Sequence, residues 1–212
     1  MDRIGSSYDA VAGEYAERIG DELDGKPLDR ALLGALAAMC GDGPLVDAGC
    51  GPGHVTAHLA GLGARAVGVD LSPGMVAVAR RRRPDLAFVA GDLCRLPFGD
   101  GVFGGALAAY AVIHLDAAAR RRAFAELHRV VRPGGPLLVS FHTAHLEHAG
   151  PVLHLSQWWG HEVDLDFRFL DPAEVAAELA AAGWTPHARV EREPLPGVEA
   201  PTRRCTLLAL RG

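Results

Sequence analysis

The sequence is poor in lysine, poor in cysteine and short of positive charge, and each shortage excludes something. Lys26 is the only lysine among 21 basic residues. Set beside abundant Ala, Gly and Arg, that scarcity reads as coding bias. The 26 acidic residues outnumber the basic ones and leave a net charge of -5. A dedicated nucleic-acid binder needs a basic surface for phosphates, so no nucleic-acid partner is expected. The four cysteines, Cys40, Cys50, Cys94 and Cys205, form no Cys-x-x-Cys pair. Zinc-ligand and redox spacings are therefore missing, no metal is expected, and reduced thiols in a cytoplasmic setting are the simplest reading. Residues 1–6 lack the apolar core of a secretory signal. No apolar run is long and uncharged enough to span a bilayer, so no membrane partner is expected.

What is present points to one α/β domain. The length of 212 residues suits a single domain, and a hydrophobic fraction of 49% can bury a large core. Tyr8, Val11, Ala12 and Tyr15 recur at helical spacing, and 28–39 reads as a second apolar helix stopped by Gly41-Asp42-Gly43-Pro44. Short apolar strands follow at 45–48, 66–70, 87–90, 105–108 and 136–141, with helices near 54–61, after Ser72-Pro73, and over 117–130 behind Asp116. Asp171-Pro172-Ala173-Glu174 has the form of a helix start, and two late β segments lie near 187–193 and 203–210. Alternating strands and helices imply a parallel sheet covered on both faces. Residues 142–170 are too long for an ordinary connection, and such loops are often functional lids.

The first strand ends at Asp47-Ala48 and runs straight into Gly49-Cys50-Gly51-Pro52-Gly53. Ligands of open α/β sheets bind outside the carboxyl ends of the strands, and glycines there let a ligand approach bare backbone. The next strand ends in Asp70, placed where an acid accepts hydrogen bonds from ribose hydroxyls. The dinucleotide fingerprint also needs a third glycine, but its position is His54 counted from Gly49 and Thr56 counted from Gly51. A nicotinamide-dependent oxidoreductase is therefore disfavoured.

The pattern Asp-x-Gly-x-Gly-x-Gly instead resembles the first motif of the class I S-adenosylmethionine-dependent methyltransferases. The resemblance continues through Val67 to Met75, through Gly91-Asp92-Leu93-Cys94, through Phe103 to Leu115, and through Val131 to Val139. One departure is Gly104, where many relatives carry an aspartate. The resemblance implies a single Rossmann-like, doubly wound, mostly parallel sheet with an antiparallel C-terminal strand and N-terminal helices. It divides 1–212 into a helical cap (1–43), a cofactor-binding core (44–141), a substrate lid (142–170) and a C-terminal helix with strands (171–212). It implies S-adenosylmethionine as cofactor and S-adenosylhomocysteine as product. Asp47, Gly49, Gly51 and Gly53 would border the amino-acid half, Asp70 the ribose, and Asp92 the adenine amino group. Leu71, Met75 and Leu93 would flank adenine or simply belong to the core. Ala109 would border the cofactor after strand four. Tyr15 would cover the cofactor and Tyr8 the acceptor, with core packing equally open for both.

The implied reaction is methyl transfer to an oxygen or nitrogen of a small molecule, in specialised metabolism, by a monomer or homodimer. Tyr110 and His114 follow strand four, where the methyl group should project. His114 is the candidate general base, because an unperturbed imidazole titrates near neutrality; a structural role is the alternative. His142, Trp158 and Trp159 are candidate acceptor contacts, or the tryptophans anchor the loop. A base-flipping methyltransferase commonly carries Asp/Asn-Pro-Pro-aromatic after strand four; here the chain reads Ala108-Ala109-Tyr110-Ala111. A non-catalytic cofactor-binding protein on the same fold remains a rival. His54 with His58, and His142, His145 and His148, lack diagnostic metal spacing. The runs Arg80–Arg83 and Arg120–Arg122 read as solvated faces.

Overall fold

The computed structural model describes residues 3–212; Met1 and Asp2, at the start of the expected cap, lie outside the described residues. Two helices come first, α1 (Arg3–Ile19) and α2 (Pro27–Cys40), joined by a 3-10 turn. Strands β1 (Leu45–Ala48), β2 (Ala66–Asp70), β3 (Ala87–Ala90), β4 (Gly105–Ala109) and β5 (Pro136–His145) then alternate with α3 (His54–Gly61), α4 (Pro73–Arg82) and α5 (Ala117–Val130). β6 (Val152–Trp158), β7 (His161–Arg168), α6 (Pro172–Ala181), β8 (Trp184–Arg192) and β9 (Thr202–Arg211) complete the chain.

Seven strands form one sheet in the order β3-β2-β1-β4-β5-β9-β8. Strands β1 to β5 pair in parallel, while β9 runs antiparallel to both β5 and β8. Alternate side chains leave a strand on opposite faces. Leu45 and Leu107 accordingly pack with α2 and α3, whereas Val46 and Ala106 join Phe124 and Leu127 of α5 and Leu179 of α6. The helix starts follow their sequence signals: Ser72 Oγ accepts from Met75 N–H, Asp116 from Ala119 N–H, and Asp171 from Ala173 N–H. The sheet reverses its winding between β1 and β4, which opens a crevice at their carboxyl ends. Among the described residues no helix is long and apolar enough to cross a membrane.

Two expectations need correction. The stretch 142–170 is not a structureless loop. β5 runs on to His145, and β6 with β7 makes a separate antiparallel hairpin. Its turn is Trp159-Gly160, both at positive φ (51° and 86°), as a two-residue hairpin turn requires. A tryptophan in that conformation is strained. It is held by stacking on Trp158, with ring centroids 4.5 Å apart, and by the Arg18 guanidinium 5.3 Å above its ring. Val163 and Leu165 of β7 pack against Val11, Ala12 and Ala16 of α1 and Met75 and Val78 of α4. Arg3 adds ion pairs to Asp164 and Asp166, and Ser7 Oγ accepts from Asp164 N–H. The second correction concerns Arg120. It is buried rather than solvated, and clamps α5 to α6 through Glu178.

A packed hairpin and a surface loop respond differently to truncation. Leu165→Ala should lower unfolding free energy in urea by about 2–5 kcal/mol, whereas Glu162→Ala should stay within about 0.5 kcal/mol. Equal, small effects would mean that the hairpin does not pack on α1.

Candidate active site

The crevice at the β1/β4 junction is built from backbone first. Where β1 ends, the Gly49 and Cys50 amides both donate to the Val69 carbonyl, at 2.8 and 3.0 Å, and tie the glycine loop to β2. Gly49 must be glycine: its φ is 85°, and an added Cβ would stand 2.3 Å from the Ala111 Cβ. Gly51 also has positive φ (53°), but an added Cβ would meet nothing nearer than Tyr15 Cε1 at 4.0 Å. Its backbone thus faces open space. The Asp70 carboxylate accepts from the Gly51 amide at 2.8 Å and from the Ser72 amide at 2.9 Å. Burial raises the Asp70 pKa, and these amide bonds oppose the rise.

A cavity of about 980 Å³ opens over this loop. That is the upper end of the range for small-molecule pockets, with room for a cofactor and a second molecule. Gly49, Gly51, Asp70, Leu71, Met75, Asp92, Leu93 and Ala109 line it together with Tyr8, Tyr15, Tyr110, His114, His142 and Trp158. Asp47, Gly53 and Trp159 do not line it. Asp47 is buried beneath the loop and accepts from the Thr56 hydroxyl at 2.6 Å; burial pushes its carboxyl up to about 6. Gly53 faces Phe88 and Ala79. Trp159 stands outside, tilted against Tyr15 and beneath the Arg18 guanidinium.

Tyr110 carries the other positive φ of a non-glycine residue among the described residues, 57°, at the end of β4. Its amide donates to Ser140 O at 2.8 Å, and its ring stacks on His142 at 4.8 Å. Such strain concentrates at ligand sites, where surrounding structure holds it. His114 is not the free neutral-pH base that its residue type suggests. It is buried, with Nε2 2.7 Å from the Tyr8 hydroxyl and Nδ1 2.9 Å from Asp166 O. Burial pulls its pKa down to about 4, so the ring is neutral at physiological pH. His142 is drawn to about 3 by burial and by the nearby Arg204.

The cavity wall also includes Phe167, Lys26, Glu199 and Arg204, which no sequence motif assigns to a site. The sole lysine lies buried between Glu22 at 2.5 Å and Glu199 at 3.3 Å, and Glu199 also pairs with Arg192 and Arg204. Lys26 and Glu199 are 173 positions apart, beyond the reach of any local pattern. Asp9 was missed for the same reason; its carboxylate accepts from the Ser72 hydroxyl and the Gly74 amide and docks α1 on the start of α4.

A family model described as a methyltransferase domain matches residues 46–139. The demethylmenaquinone methyltransferase of Mycolicibacterium vanbaalenii is 34% identical over an alignment of 205 positions, gaps included, that covers 86% of either chain. The demethylmenaquinone methyltransferase of Beutenbergia cavernae is 46% identical over 111 residues, 52% of this chain and 45% of that one. The chain belongs to the class I S-adenosylmethionine-dependent methyltransferases. It spans about half the length of several curated relatives it matches. The fold is shared further still: the crystal structure of the cyclase SpnF superposes with a TM-score of 0.70 at 20% identity, covering 98% of this chain and 95% of that one.

The residues present suit a methyltransferase cofactor. Gly51 offers a bare backbone, and each Asp70 oxygen keeps lone pairs beyond its amide bond. Gly104, the one departure from the expected motif, has its own steric reason: an added Cβ would stand 2.8 Å from Cys40 O and 2.9 Å from Gly43 Cα. Asp70→Ala should weaken S-adenosylmethionine binding by about 1.5–3 kcal/mol, the value of charged hydrogen bonds, in calorimetry. Unchanged affinity would remove Asp70 from the cofactor site.

Proposed function

We propose that this protein transfers the methyl group of S-adenosylmethionine to an oxygen or nitrogen of a small, ring-bearing molecule. The observation that carries this reading is a single cavity lined by two unlike sets of groups. Bare glycine backbone with Asp70 and Asp92 forms one set; the rings of Tyr8, Trp158, Phe167 and Tyr110 form the other. Aromatic side chains give flat apolar walls for a ring, and a few polar groups then fix its orientation. The demethylmenaquinone methyltransferases among the curated relatives support a small acceptor, whereas a malonyl-[acyl-carrier protein] O-methyltransferase is named for a carrier-bound one.

In this reading the glycine loop borders the amino-acid half of the cofactor, Asp70 meets the ribose hydroxyls, and Asp92 meets the adenine amino group. Leu71, Met75 and Leu93 flank the adenine. The bound cofactor supplies an already activated methyl group. The protein's own task is to align the acceptor and exclude water. Residues 44–141 serve the cofactor. The hairpin within 142–170 and helix α1 form the cover, which brings Tyr8, Tyr15 and Trp158 over the site. Tyr110 and His114 stand at the mouth of β4. The two rivals are a nicotinamide-dependent oxidoreductase and a protein that binds the cofactor without transferring its methyl group. The missing third glycine weighs against the first. The likeness to a cyclase keeps the second in view, since a fold hosts more than one chemistry.

A panel of hydroxylated and aminated aromatic acceptors, scored by release of S-adenosylhomocysteine, tests the proposal. On an acceptor that turns over, Trp158→Ala should lower kcat/KM by about tenfold or more, equivalent to 1.4 kcal/mol, with cofactor affinity within about twofold. Cofactor binding without product release on any acceptor would favour the non-catalytic rival. A Trp158→Ala variant that turns over normally would take the hairpin out of the acceptor site.

A further inference from the structure

Tyr8 of α1, His114 after β4 and Asp166 of β7 are joined in one hydrogen-bonded chain beside the aromatic lining of the cavity. The chemistry of its last member sets the direction of the whole chain. The Asp166 main-chain oxygen, 2.9 Å from His114 Nδ1, can only accept, so Nδ1 carries a proton. The buried ring is neutral, so Nε2 keeps its lone pair. The Tyr8 hydroxyl, 2.7 Å from Nε2, is therefore the donor of that bond. Burial also holds Tyr8 as a protonated phenol. Its one proton is committed to His114, and its oxygen is left with lone pairs only.

The surroundings offer that oxygen little else. Tyr8 packs edge-on against Tyr15 and Trp158, each at 6.0 Å, and Phe167 covers His114 at 4.8 Å. Both Tyr8 and His114 line the cavity. We infer that Tyr8 is a specificity residue that reads a hydrogen-bond donor, a hydroxyl or an amino N–H, on the acceptor, and that His114 is the positioning residue that fixes this polarity. The inference rests on the methyl-transfer reading and adds to it the protonation state in which the acceptor is recognised. A hydroxyl or amine placed against Tyr8 satisfies both partners. An ether or carboxylate oxygen in the same place sets lone pair against lone pair and leaves both unpaired, which is the costly outcome for buried polar groups.

Calorimetry on protein saturated with S-adenosylhomocysteine tests this with two probes of one ring system, 2-naphthol and 2-methoxynaphthalene. The wild type should bind 2-naphthol about tenfold more tightly, the scale of one buried hydrogen bond made against one lost. Tyr8→Phe should bring the two probes within about twofold, with S-adenosylhomocysteine affinity unchanged. His114→Leu should narrow the gap by the opposite route: the freed Tyr8 hydroxyl can donate to the ether, so 2-methoxynaphthalene gains affinity. A merely structural role for His114 would not make the ether bind better. The inference is overturned if the wild type does not prefer 2-naphthol, if neither probe binds, if the preference survives Tyr8→Phe, or if that variant loses S-adenosylhomocysteine. A wild type that takes up no S-adenosylhomocysteine would instead refute the cofactor reading beneath it.

Discussion

The Asp70 carboxylate holds two backbone amides that belong to different parts of the chain. It accepts from Gly51 in the loop after β1 and from Ser72 at the start of α4. A buried acid is expensive to ionise without such donors, and a left-handed glycine turn drifts without an anchor. Each stabilises the other. The joint then extends outward. Ser72 caps α4 and donates to Asp9, which also takes the Gly74 amide, and Asp9 places α1 across the crevice. One residue earlier, Tyr8 reaches His114. The carboxylate proposed for the ribose is thus continuous, through two hydrogen bonds and the Tyr8–Asp9 peptide link, with the residue proposed for the acceptor.

The cover follows from the same economy of contacts. α1 and the β6–β7 hairpin share an apolar cluster with α4, so neither can move far without exposing Val11, Leu165 and Met75. Ion pairs from Arg3 to Asp164 and Asp166 lie at the exposed edge and add register more than stability. The strained turn at Trp159 sits above this cluster, and its ring is clamped between Trp158 and Arg18. Trp158, the neighbour that faces inward, is presented to the cavity by a residue that does not touch it.

Local chemistry made part of this visible in the sequence. Strands β1 to β4, the start of β5, the caps at Ser72, Asp116 and Asp171, and the family pattern are all set by neighbouring residues, and they stand where they are expected. The hairpin also has a local signal: Glu162-Val163-Asp164-Leu165-Asp166-Phe167-Arg168 alternates strictly, and Trp-Gly marks its turn. What no local pattern could show is the long-range polar pairing. Lys26 with Glu199, Tyr8 with His114, and Asp9 with Ser72 each join distant segments. His114 shows the consequence most clearly. Its residue type suggested a base near neutrality, and its buried place in a bonded chain makes it a fixed hydrogen-bond partner instead. Asp47 and Gly53 belong to the family motif by position, yet they support the loop from beneath and behind rather than facing the cavity.

The central claim is that the crevice above Gly51 and Asp70 is shaped for S-adenosylmethionine and not for a dinucleotide. Titrating the wild-type protein in parallel with S-adenosylmethionine and with NAD tests it most directly. The account predicts saturable one-to-one binding of S-adenosylmethionine and no saturation with NAD. Tight binding of NAD, or no binding of S-adenosylmethionine, would contradict it.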